Sequence, residues 1–195
     1  MEERGLRSNY FFALIKFALF LIIFCFLIEL SKEFFKEIKS TQDLKVDVFF
    51  LSVLSCLAFY IFLADLNNFY KKIQKFFFRS SFFAFLFSSL LIFFGIGFFL
   101  LPKVLNFSFD RDIFLFLGGF ILTSHLVFIA RETKGSNFIA FIDYLFLFSI
   151  LYVVNLILFG LYLKVAFRID LGKVIIDGVK DGVFLMQNIF SQIFK

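Results

Sequence analysis

Phe138–Phe167, FIAFIDYLFLFSILYVVNLILFGLYLKVAF, is the longest apolar run in the chain, and its reading decides the class of the protein. A helix needs about 20 apolar residues to cross roughly 30 Å of hydrocarbon, and this stretch has them with length to spare. It carries two polar flaws. Asn155 falls where such a helix is deepest, and Asp143 falls near its entrance. Polar groups in hydrocarbon are costly without partners, so both positions call for a neighbour.

Outward from that run, four others meet the same length test, giving expected spans at about 10–30, 48–64, 82–101, 113–130 and 139–163. The runs are continuous rather than alternating, which favours helices over a β-barrel. Ser31, Asp65, Pro102, Arg131 and Lys164 punctuate their ends. The expected architecture is an all-α membrane protein: a five-span transmembrane bundle over 1–167 and an amphipathic, interfacial C-terminal helix over 168–195. In that last segment Ile175, Val179, Val183, Met186, Phe190 and Ile193 recur at helical spacing, with Lys173, Asp177, Lys180, Gln187, Ser191 and Lys195 opposite. Asp177-Gly178 and Asp181-Gly182 are turn dipeptides, so a β-hairpin competes; the stripe's continuation past the second glycine favours helix. The first run follows Arg4 and Arg7 without a small-residue cleavage pattern, and is read as a span rather than a signal peptide.

Composition agrees with a lipid-solvated chain. It is 62% hydrophobic and 18% charged with a mean hydropathy of +0.97, against about half apolar and a quarter charged in soluble domains. Phe accounts for 39 of 195 residues. Phe and Leu are interchangeable as lipid-facing bulk, so the excess reads as codon bias of an AT-rich genome, and a bacterial inner membrane is the expected location. The net charge of +5 resides mainly in short segments between apolar runs, a placement that suits lipid headgroups and topology signals and excludes a nucleic-acid surface. Segment 66–81, read as a loop, holds Lys71, Lys72, Lys75 and Arg79 and is the strongest positive-inside signal. Segment 31–47, with mixed charges and an apolar stripe of Phe34, Phe35 and Ile38, reads as a short surface helix. The basic residues on the two sides of a five-span threading are too evenly divided to fix its orientation.

Chemistry-bearing patterns are sparse. Cys25 and Cys56 both lie in apolar runs and His125 stands alone, so neither a disulfide framework nor a zinc site is indicated. The sequence holds no HExxH, GxSxG, P-loop or dinucleotide turn, and no enzyme activity, metal or cofactor is expected.

Three ionisable residues stand out instead. Lys16 lies about six residues, or roughly 9 Å, inside the first span. On alternating threading, His125 and Asp143 reach a similar depth from the same side, so Lys16, His125 and Asp143 form a candidate intramembrane polar cluster. Blander roles compete: Lys16 snorkels, Asp143 marks the membrane edge, and His125 bonds a neighbouring helix. Ser88, Gly95, Gly119, Thr123, Asn155, Gly178 and Gly182 are expected to mediate helix packing. The function expected from this pattern is a non-enzymatic subunit or accessory of a larger membrane assembly, with a protein partner or a second copy in the bilayer. The alternative is a small transporter or ion- or proton-conducting protein using the cluster.

Overall fold

The computed structural model describes residues 2–62, 66–105, 110–135 and 137–193. Among the positions singled out above, Asp65, the end of the second span at 63–64 and Lys195 lie outside the described residues. Eight helices follow in order: α1 (Glu2–Ser40), α2 (Val46–Phe62), α3 (Leu66–Phe77), α4 (Ser81–Leu86), α5 (Ser89–Leu105), α6 (Arg111–Thr133), α7 (Phe138–Phe167) and α8 (Leu171–Ile193). No strand occurs among the described residues, so both Asp-Gly pairs of the last segment sit inside a helix.

The helix ends follow from local chemistry. Asp110 accepts from the Asp112 amide at 2.8 Å and caps α6, and Asn137 accepts from the Ala140 amide at 2.8 Å and caps α7. The α7 chain stops at Arg168, which takes the left-handed conformation at φ 55° and returns its N–H to the Lys164 carbonyl. Two residues on, Asp170 accepts from the Lys173 amide at 3.1 Å and starts α8.

Among the described residues, three stretches are long and apolar enough to cross a membrane: Tyr10–Ser40, Arg111–Thr133 and Phe138–Phe167. Their packing is read from the side chains that meet. Lys16 with Asp143, Ser31 with Tyr152 and Phe34 with Phe159 make α1 and α7 parallel. Ring contacts of Phe114 with Tyr162, one turn from the approach of Gly118 to Phe159, make α6 and α7 antiparallel. Cys56 with Ser124 and Arg131 over Tyr60 place α2 beside α6 in the same direction. A polar patch lies within a largely apolar core: Gln74, Ser88, His125 and Asn155 are fully buried, as are Leu115, Phe159 and Leu163, while Leu54, Phe62, Phe76 and Val104 are exposed. A surface of that kind is suited to lipid.

Three regions differ from the sequence reading. Residues 31–40 continue α1 instead of forming a separate surface helix. The basic segment 66–81 contains α3, because Asn67, Tyr70 and Gln74 recur at helical spacing and bury one face. The α2 and α3 axes differ by 115°. The third expected span, 82–101, is two helices, interrupted at Phe87, whose φ of −125° and ψ of 133° are extended. That run carries one polar pair, Ser88-Ser89, and it falls at the break; the pair is too short to interrupt the hydropathy of the run.

Helix α8 packs antiparallel on α1. Its approach is closest at two glycines: a β-carbon on Gly178 would lie 2.9 Å from the Leu30 Cα, and one on Gly182 would lie 2.6 Å from the Phe26 ring. At Gly178 the obstacle is backbone, which cannot swing aside. Gly178→Ala is therefore expected to destabilise the protein by about 1–3 kcal/mol, the usual cost of overpacking. Gly97→Ala, where the nearest non-neighbouring atom would be 3.9 Å away, is expected to be neutral or stabilising. Thermal midpoints of the two variants in one detergent check the contrast.

Candidate functional site

The interruption between α4 and α5 frees backbone groups at the buried Ser88 and Ser89, where they need partners within the protein. Side chains from α3 and α7 and from the break itself supply the bonds. Ser88 Oγ accepts from the Leu91 amide at 3.3 Å, and Gln74 Oε1 accepts from the Ser89 amide at 3.4 Å. On the other side of the break, Asn155 Nδ2 donates to the Leu86 carbonyl at 3.3 Å and to its own Leu151 carbonyl at 2.8 Å.

Behind these first partners lies a second layer. A backbone amide can only donate, so Gln74 presents its oxygen to Ser89 and its nitrogen inward. That nitrogen donates to Tyr70 Oη at 2.9 Å and faces His125 Nδ1 at 3.2 Å. Tyr70 Oη is also 2.9 Å from Ser88 Oγ and 3.1 Å from His125 Nδ1. With Gln74 a donor toward it, Nδ1 is an acceptor and the ring proton belongs on Nε2. Nε2 is buried and makes no hydrogen bond of ordinary geometry among the described residues. The polar network thus spans α3, the α4–α5 break, α6 and α7; the His125 ring interacts with the Phe85 backbone, and Ser89 Oγ and Asn155 Oδ1 are buried without a hydrogen-bond partner among the described residues.

Lys16 and Asp143 meet elsewhere. Their side chains form a 2.7 Å ion pair between α1 and α7, at 41% and 46% exposure. His125 stands apart from them: its partners are Tyr70 and Gln74. The candidate cluster of three therefore resolves into a half-exposed pair on one helix contact and a buried imidazole on another. Sequence position sets a residue's level along a helix but not its azimuth around it, and azimuth separates these three.

Of the other singled-out positions, Gly95 faces the Tyr162 ring and Gly119 faces Ser52 and Phe49, whereas Thr123 Oγ1 bonds the Gly119 carbonyl of its own helix at 2.8 Å. Tyr70 and Gln74 were missed in the sequence because their segment read as a basic loop; their spacing of four residues is the signal that finds them. No group of three metal-ligating side chains occurs among the described residues, and Cys25 and Cys56 are free. Comparison of the chain with family models, with curated proteins and with solved structures returns no match.

Two outcomes follow. Gln74→Leu strands the Ser89 amide and is expected to cost about 1–3 kcal/mol, read as a fall in thermal midpoint. The Lys16–Asp143 pair is half exposed on apolar helices, and hydrocarbon screens charge less than water, so its coupling is expected to exceed the ~1 kcal/mol of a water-exposed pair. In a double-mutant cycle Lys16→Asp and Asp143→Lys should each destabilise, and the exchanged pair should recover most of that loss.

Proposed function

We propose that the chain is a five-span integral membrane protein that acts as a non-enzymatic subunit or accessory of a larger membrane assembly. On this reading α1, α2, α5, α6 and α7 provide the crossings, and α3 and α4 fold back between the second and third. The two helices near the break are individually short, and the network at Ser88 joins them into one unit.

The observation that carries the assembly reading is the course of α8. Gly178 packs at Leu30 and Gly182 at Phe26, so each turn of α8 lies beside an earlier turn of α1. On that register α8 runs back along the apolar run of α1 instead of lying flat at the interface, and Gln187 comes level with Leu21. Yet Lys180, Asp181, Gln187, Asn188 and Ser191 are exposed. Hydrocarbon cannot satisfy these groups, whereas side chains of a neighbouring protein can. A mixed face with exposed Phe184 and Ile189 between the polar positions is suited to a protein neighbour.

Transport is the second reading, and the mid-bundle helix break favours it, since discontinuous helices frame substrate sites in many carriers. It no longer draws on a joint Lys16, His125 and Asp143 cluster.

Purification of the full chain from its native membrane in mild detergent tests the assembly. The expected result is a complex heavier than one chain by native mass measurement, reduced to the monomer by the triple change Asp181→Leu, Gln187→Leu and Asn188→Leu. A wild-type protein that is monomeric before and after crosslinking in the membrane contradicts the reading.

A further inference from the structure

Beside the network, α3, α4 and the last turns of α6 enclose a cavity of about 530 Å³ that the assembly reading leaves unused. That volume is in the range of about 300–1,000 Å³ typical of small-molecule sites. Its lining is divided by chemistry. Phe78, Ala84, Phe85 and Phe128 supply an apolar wall, and Lys71, Lys75, Arg79 and Glu132 supply charge.

The charges do not cancel. Glu132 is engaged by Lys71 at 2.5 Å and by Asn67 at 3.3 Å. Lys75 and Arg79 form no ion pair among the described residues, and both are exposed. Two uncompensated cations thus converge on one concavity together with the Ser81 side chain. Like charges held around one cavity repel, and an anion between them turns that repulsion into attraction.

We propose that this cavity is a binding site for a phosphate group, either free or as the headgroup of an anionic phospholipid. An arginine offers a planar fork that matches two phosphate oxygens, and a lysine adds a point charge. Basic pockets between membrane helices hold phospholipid headgroups by the same chemistry, and here the phenylalanine wall gives the glycerol and upper acyl chain an apolar seat. Lys72 does not line the cavity and serves as an internal control.

The test uses the full chain in nanodiscs of phosphatidylcholine, with and without phosphatidylglycerol, and inorganic phosphate as the free probe. Amine acetylation of Lys75 and Lys72 is followed by mass spectrometry in the wild type, so this arm needs no variant to fold. Either probe is expected to slow acetylation of Lys75 while leaving Lys72 unchanged. Protection by phosphatidylglycerol alone identifies a lipid headgroup, and protection by phosphate in pure phosphatidylcholine discs identifies a free anion; both support the site. In a second arm, Lys75→Gln with Arg79→Gln is expected to lower retention of the protecting probe by about tenfold or more, and Lys72→Gln to leave it unchanged. Equal or no protection of the two lysines overturns the proposal, as does equal loss from both sets of substitutions, which is the signature of diffuse surface charge.

Discussion

A broken helix inside an apolar bundle must find partners for the backbone groups it frees, and the rest of this fold is arranged around that requirement. The interruption at Phe87 exposes the Leu86 carbonyl on one side and the Ser89 and Leu91 amides on the other. Each is met by a side chain: Asn155 from α7, Gln74 from α3, and Ser88 at the break. An unmet group of this kind costs several kcal/mol in hydrocarbon, more than any single packing contact at the site contributes. The requirement accounts for the burial of Gln74, Tyr70 and His125 in a protein whose surface is apolar. It also fixes α3, since Gln74 reaches Ser89 only if α3 turns back against α6.

The second side of the molecule is held differently. Helices α1, α7 and α8 form a unit in which Ser31 meets Tyr152, Phe34 meets Phe159, and two glycines of α8 admit α1. Beyond the apolar run of α1, Asp43 pairs with Arg111 at 2.6 Å and Lys45 pairs with Asp112, tying the start of α2 to the start of α6. Asp112 beside it raises the Lys45 ammonium above its ordinary value. These exposed pairs set the register of neighbouring helices and contribute little to stability. The unit keeps one mixed face of α8 free, and this face supports the assembly reading.

The helical class and three stretches long and apolar enough to cross a membrane were legible in the sequence because hydropathy reports length and continuity directly. The meeting of Lys16 and Asp143 was one open reading among several, since similar depth allowed a contact while snorkelling and the membrane edge explained each residue separately. Asn155 was legible as an interhelical donor, though its acceptor was not, because Ser88 and Ser89, the polar pair at the break, read as a packing position within a continuous span. His125 shows the limit of depth arguments. Its level was inferred, but its neighbours depend on the azimuth of α6 and on α3, which read as a basic loop. Gly178 and Gly182 signalled close approach without identifying α1 as the backbone that approaches.

The break itself is the claim on which the account depends. Solid-state NMR of isotope-labelled protein in lipid reads the backbone conformation at Phe87 from its carbonyl and α-carbon shifts. The account predicts extended shifts at Phe87, with helical shifts at Ala84 before it and Leu91 after it. Helical shifts at all three would mean one continuous span over 82–101, and would contradict it.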